Sequence, residues 1–395
     1  MEVLLIFPAN MNYTIHHDAY VNSVIESQVK TISTTILKQV KDVVNVSLLG
    51  GFARGEGSVK IEKGRVLPLG DYDLLIVTSR PHFNLRINGL DELAEKFGMG
   101  HIDIAYVWKP RLSIAGKSLF WYEVKFGSQV LYGDHDLLEK IPMHNVMDID
   151  LKEGIKLLVN RLAGMFQCYK PKFIHDKLSQ CEREYMIYQT VKASLACGES
   201  LLLLIRRYHP KQLVKLDRFS KSFHSELSGY SLVNPQLLSN YEKALNFKMT
   251  PSFEMYPDEL DFWFSTKRDV LLTTRFFLEM YKNLKINRQE EIPEYLLTKS
   301  NLDLIEYLKF ESNIFKRKRR FTNLFQRRSI YDIFGAALIY LALSTRKDGI
   351  DDHFIEKAVS IIDVLIPYKK MVRGSPLQKW RKTKEILLEI WGCLH

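Results

Sequence analysis

Cysteine is scarce in this 395-residue chain: Cys168, Cys181, Cys197 and Cys393 are scattered, with no Cys-x-x-Cys pair and no histidine nearby at zinc-ligand spacing. The pattern points away from a disulfide framework or a structural zinc and towards a reducing, cytoplasmic compartment. Long hydrophobic runs are missing as well. The most apolar later stretch, residues 329–344, contains Asp332 and Gly335 and falls short of the roughly 20 residues that a membrane span requires, so it reads as a buried helix. Residues 1–7 are apolar but lack a basic start, are too short for a signal core and end at Pro8-Ala9-Asn10; they read as a strand or packing arm. There is no internal repeat and no low-complexity segment. The first third of the chain also lacks any surplus of positive charge. Residues 1–140 hold 15 basic and 16 acidic side chains and the remainder 41 and 30, so the whole surplus of +10 lies beyond residue 140.

What is present is enough apolar material for two cores, with 46% hydrophobic and 26% charged residues. The most informative stretch is residues 48–77, LLGGFARGEGSVKIEKGRVLPLGDYDLLIV. Asp71 and Asp73 open a β-branched and leucine-rich run suited to a buried strand. Side chains at i and i+2 of a strand leave from the same face, so the two carboxylates repel unless a cation or solvent separates them. Hard oxygen donors of this kind select Mg²⁺ or Mn²⁺. Upstream, an apolar run from Val43 ends at Gly50-Gly51, followed by Phe52-Ala53-Arg54-Gly55. Glycines allow close backbone approach, and successive amides at such a turn form an anion cradle. Arg54 adds a positive charge beside it, although Gly-Gly-x-x-Arg-Gly alone is equally compatible with a plain tight turn.

A strand, a glycine turn and a paired-aspartate strand together resemble the polymerase-β-like nucleotidyltransferase superfamily, whose signature is a Gly-Ser or Gly-Gly turn followed by Asp-x-Asp. The resemblance implies a small mixed sheet with flanking helices, two metal ions, and attack of a hydroxyl on the α-phosphate of a nucleoside triphosphate with pyrophosphate leaving. On these terms Gly50, Gly51, Arg54 and Gly55 hold the nucleotide, and Asp71 and Asp73 bind two Mg²⁺ ions, with Mn²⁺ as an alternative. Two departures stand out. Gly51 replaces the more familiar serine and removes a hydroxyl contact to phosphate. Residues 58–70 are also inserted ahead of the aspartates, and read as a hairpin turning at Lys63-Gly64.

The superfamily implies a third carboxylate on a neighbouring strand. Asp103 in residues 100–108 is the leading candidate as catalytic residue and metal ligand, its alternation placing His101, Asp103 and Ala105 on one face. Glu123 is the rival, on an expected strand over residues 119–126 that forms a hairpin with residues 129–132. His101 reads as a structural neighbour of Asp103.

Flanking elements follow from periodicity. Residues 17–42 carry Val21, Ile25, Val29, Ile32 and Ile36 on one helical face, and residues 90–97 form a short helix opening on Asp91 and Glu92. The catalytic domain is thus expected over residues 1–140. Residues 141–395 read as a basic, all-helical domain, with helices near 155–165, 182–207, 269–283, 301–316, 330–345, 354–366 and 377–391. Residues 230–257, rich in Ser, Asn and Pro, read as the long loop or joint. The densest basic cluster is residues 316–320 with Arg327-Arg328, interleaved with Phe315, Phe321 and Phe325; Lys369, Lys370, Arg373, Lys379, Arg381, Lys382 and Lys384 follow.

The overall expectation is an α+β protein. Its activity would be Mg²⁺-dependent transfer of a nucleoside monophosphate, with ATP as the expected donor, to a hydroxyl of an unidentified acceptor. The basic half suits RNA or another phosphate-rich acceptor. Alternatives are an enzyme that modifies RNA, tRNA in particular, and a non-catalytic polyanion-binding protein on a nucleotidyltransferase fold. A small-molecule acceptor would call for a cavity lined by aromatics such as Trp263 or Tyr256.

Overall fold

The structure is a computed structural model, and describes residues 11–82, 85–174, 176–298, 329–365, 372 and 374–394. Several expectations lie outside the described residues: the strand or arm at 1–7, the helix at 301–316, the basic and aromatic residues 315–328, and Lys369, Lys370 and Arg373. The chain is α+β, with a four-stranded mixed sheet near the N-terminus and a helix-rich remainder. It divides into two compact units, one made of Met1–Glu153, Ile205–Ser222 and Glu242–Ser252, the other of Gly154–Leu204, Phe223–Tyr241 and Phe253–His395. No helix among the described residues is long and apolar enough to cross a membrane.

The first unit opens with helix α1 (Ala19–Gln39), started by Asp18, whose side chain accepts the Val21 amide at 2.8 Å. Strand β1 (Val43–Leu48) leads into a four-residue helix, α2 (Gly50–Ala53). Strands β2 (Val59–Glu62) and β3 (Arg65–Pro68) form the expected hairpin. Lys63 and Gly64 at its tip have φ of 50° and 76°, the paired left-handed conformation that a two-residue turn of right-handed twist demands. Strand β4 (Tyr72–Thr78), helix α3 (Leu90–Phe97) and strand β5 (Ile102–Trp108) follow.

Residues 119–127 are not a strand. They form helix α4 (Leu119–Gly127), and only then does strand β6 (Gln129–Gly133) join the sheet. The aromatic content FWY favours a strand locally, but the helix start is captured: Ser118 Oγ accepts the Trp121 amide at 3.3 Å and Glu153 accepts the Leu119 amide at 3.1 Å. Tyr122 and Phe126 then meet one turn apart with ring centroids at 4.8 Å.

The sheet runs in the order β5-β4-β1-β6; β1 is antiparallel to β4 and β6, and β4 is parallel to β5. Its period-2 alternation decides where the polar residues go. Val46, Leu48, Tyr72, Leu74, Ile76 and Ile102 share one core with Val21, Ile25, Val29, Ile32 and Ile36 of α1 and with Ala94 and Phe97 of α3. Each aliphatic side chain so buried is worth about 1.5–3 kcal/mol. Because residues 72, 74 and 102 are claimed by that face, Asp73 and Asp103 project from the other. Inside the core, the Tyr72 hydroxyl donates to Gln28 Oε1 at 2.5 Å, which satisfies both groups.

The helices beyond are α5 (Lys152–Cys168), α6 (Gln180–Leu204), α7 (Gln212–Phe223), α8 (Ser228–Val233), α9 (Leu237–Met249), α10 (Glu259–Lys282), α11 (Ile292–Leu297) and α12 (Ile330–Ser344). A two-residue ladder of β7 (Thr345–Arg346) and β8 (Gly349–Ile350) precedes α13 (Asp352–Leu365) and α14 (Pro376–Leu394), so the second part is not purely helical. Residues 230–257 are not a loop either. Their asparagines serve buried hydrogen bonds: Asn234 and Asn240 donate to the two oxygens of buried Asp269 at 3.0 and 2.9 Å, while Tyr230 and Tyr241 are fully buried. Trp263 is likewise core, stacked on Tyr169 at 4.2 Å and donating to the Met165 carbonyl at 3.0 Å. Tyr256 is buried and stacks on Phe262 at 3.9 Å.

Candidate functional site

The glycine turn and the aspartate strand are packed directly together. Leu49 donates its amide to the Asp73 carbonyl at 2.8 Å, which brings the end of β1 alongside the start of β4. Gly50 follows with φ of 69°, and a Cβ on it would lie 2.5 Å from Asp73 Oδ2. Only glycine supplies both the left-handed backbone and the room for that carboxylate. The Gly51 carbonyl accepts the amides of Arg54 at 3.1 Å and Glu56 at 2.8 Å, closing the loop tightly. Gly55, with φ of 75°, passes close to the Asn12 carbonyl.

Asp73 and Asp103 are direct register partners of the parallel β4–β5 pair, one step after Tyr72 and Ile102. Asp71, two residues before Asp73, stands where β4 begins, and His101 where β5 begins. The His101 ring bridges carboxylates of both strands: its Nε2 is 2.9 Å from Asp103 Oδ1 and its Nδ1 3.6 Å from Asp71 Oδ1. One donor atom from each of Asp71, His101 and Asp103 lies within 4.8 Å of the others. The three side chains are 28, 56 and 53% exposed, so the cluster opens to solvent. Asp73 is placed beside them by the register, with its carboxylate against Gly50. His101 was legible only as a neighbour. The signal for more was there, since the alternation of β5 puts it on the face of Asp103.

Arg54 is placed differently from the other expected site residues. Its side chain is only 6% exposed and lies 3.7 Å from both the Glu56 and Glu123 carboxylates. Glu123 also accepts the Tyr208 hydroxyl, and Glu56 accepts the Gln212 amide at 2.7 Å. Lys215, fully buried, has its ammonium 3.4 Å from the Tyr208 hydroxyl and 4.8 Å from that ring's centroid. A buried chain of alternating charge and hydroxyl thus ties the glycine turn to α4 and to the segment entering α7, all within the first unit. Glu123 belongs to this chain. Among the described residues, the group of side chains able to share a metal ion is Asp71, His101 and Asp103.

Two carboxylates and an imidazole on fixed strand ends suit a hard or borderline divalent cation. The turn at Gly50–Gly51 adjoins the same strand end, with Gly50 against the Asp73 carboxylate. No family model matches the chain, and no curated protein matches it.

Proposed function

We propose that the chain is a metal-dependent nucleotidyltransferase of the polymerase-β-like kind. The observation that carries the reading is the joint placement of Gly50, Asp73 and Asp103: the glycine turn abuts the carboxylate of Asp73, and the sheet register sets Asp73 beside Asp103. The small mixed sheet with helices on it is what the resemblance implies, and it supports the assignment.

In this reading the turn at Gly50, Gly51 and Gly55 would hold the triphosphate. Asp71, Asp73 and Asp103 would hold the ions. Bound Mg²⁺ or Mn²⁺ would neutralise charge on the phosphates and favour the ionised form of the attacking hydroxyl. The acceptor oxygen forms a bond to the α-phosphorus, the bond from that phosphorus to the bridging oxygen breaks, and pyrophosphate leaves with the electron pair. Asp103, being half exposed, is the carboxylate reachable by an incoming hydroxyl and its proton. Arg54 is buried between Glu56 and Glu123, so its contribution is to fix the shape of the turn, and phosphate contact falls to the backbone.

RNA or another phosphate-rich molecule is the acceptor class that the charge of the chain favours, since its whole basic surplus lies beyond residue 140.

The test is incubation with a divalent ion and each α-³²P-labelled nucleoside triphosphate, with and without total RNA. Label in an acceptor that disappears in Asp71→Ala, Asp73→Ala and Asp103→Asn supports the reading. Substantial label transfer by either alanine variant overturns it, and salt-sensitive RNA binding without nucleotide binding favours a non-catalytic polyanion-binding protein.

A further inference from the structure

We infer that His101 is itself a metal ligand, and that it makes the centre select Mn²⁺ over Mg²⁺. This names the ion of the site proposed above, and takes the ion's role from that reading.

The placement is specific. His101 immediately precedes β5 and Asp103 is that strand's second residue, so the extended backbone directs the two side chains to one side. Asp71 precedes β4 by one residue, and β4 and β5 are locked in parallel register from Tyr72↔Ile102 onwards. The imidazole therefore stands between carboxylates of two adjacent strands, 2.9 Å from one and 3.6 Å from the other. Around an octahedral ion with bonds of about 2.1 Å, adjacent donors lie about 3.0 Å apart and opposite donors about 4.2 Å. The three donors here lie within 4.8 Å of one another, near the spread of such a set.

The chemistry of the set does the selecting. Mg²⁺ is bound through carboxylates and waters and gains little from a nitrogen donor, whereas imidazole suits first-row transition ions. An oxygen-only triad of Asp71, Asp73 and Asp103 has no such bias. Exposure of His101 also means that removing its ring costs the fold little, which makes the substitution a clean probe.

The experiment is Mn²⁺ binding to chelator-stripped full-length protein, followed by electron paramagnetic resonance, with pulsed detection of ¹⁴N coupling to the bound ion. The wild type shows ¹⁴N coupling, and His101→Gln loses it. The same substitution raises the Kd for Mn²⁺ about tenfold or more while that for Mg²⁺ moves less than about threefold. Asp103→Asn weakens both ions. Mn²⁺ bound without nitrogen coupling, coupling unchanged in His101→Gln, or no Mn²⁺ binding by the wild type each overturns the inference. Transfer of nucleotide label without nitrogen coupling overturns this inference and leaves the enzymatic reading standing. Nitrogen coupling without any transfer does the reverse.

Discussion

Replacing Gly50 with alanine separates two costs that the structure imposes at one atom. The first is backbone strain, because φ of 69° is a left-handed conformation that costs an L-residue about 1–2 kcal/mol. The second is steric, because the new Cβ would stand 2.5 Å from Asp73 Oδ2, closer than non-bonded carbon and oxygen tolerate. Gly64 supplies the reference. It has φ of 76°, and a Cβ there meets nothing within 4 Å, so Gly64→Ala carries the strain alone. The expected cost is about 1–2 kcal/mol for Gly64→Ala and about 2–4 kcal/mol for Gly50→Ala. If the Asp73 carboxylate yields, part of the excess disappears from stability and returns as weaker metal binding. Urea unfolding and Mn²⁺ titration of both variants read the two costs. Equal midpoints and equal Mn²⁺ affinities in the two variants refute the idea that the glycine turn and Asp73 form one site.

Three further outcomes follow from other parts of the molecule. Glu123→Gln leaves the 6%-exposed Arg54 with one carboxylate fewer and is expected to destabilise the first unit by about 2–4 kcal/mol in urea melts. The paired change Arg54→Met with Glu123→Leu recovers much of that loss, and a neutral Glu123→Gln contradicts the buried network. In the second unit, Lys267 donates to the Ala342 and Thr345 carbonyls at the end of α12, and burial, with Arg346 adding repulsion, pulls its amine down to about 8 from an ordinary 10.5. The unfolded chain then binds more protons than the folded one between those values, so this group's contribution to stability rises with pH from about 8 to about 10.5. Lys267→Met should flatten that rise in urea midpoints measured from pH 7.5 to 9.5, and an unchanged slope counts against the burial argument. Asp71→Asn is expected to abolish Mn²⁺ binding with no change in the far-ultraviolet circular dichroism; retention of tight Mn²⁺ binding removes it from the centre.

Local pattern carried the parts of the fold that local physics decides. The spacing of Val21, Ile25, Val29, Ile32 and Ile36 marks α1 because those positions fall on one helical stripe. Lys63-Gly64 marks its hairpin because the turn needs two left-handed residues. Asp71, Asp73 and Asp103 were legible for the same reason, period-2 alternation beside an apolar face. What escaped was decided at long range. Helix α4 hides behind strand-forming aromatics, and is set by Ser118 and by Glu153, which lies 34 residues beyond the amide it caps. Residues 230–257 look like a loop because their asparagines are polar, yet those side chains are spent on Asp269, 29 and 35 residues away. The partners of Arg54 follow the same rule: the turn's buried acid Glu56 is held by an amide 156 residues on. His101 joins Asp71 only through the register of two strands, a relation that no spacing within one strand reveals.

The most direct measurement on the central proposal compares the fate of the α and γ phosphates. Full-length protein is incubated with Mn²⁺, RNA and ATP labelled in parallel at one position or the other. Nucleotidyl transfer places the α label on the acceptor and releases the γ label as pyrophosphate, and Asp73→Ala abolishes both. Appearance of the γ label on the acceptor, release of γ label as inorganic phosphate alone, or full α transfer by Asp73→Ala contradicts it.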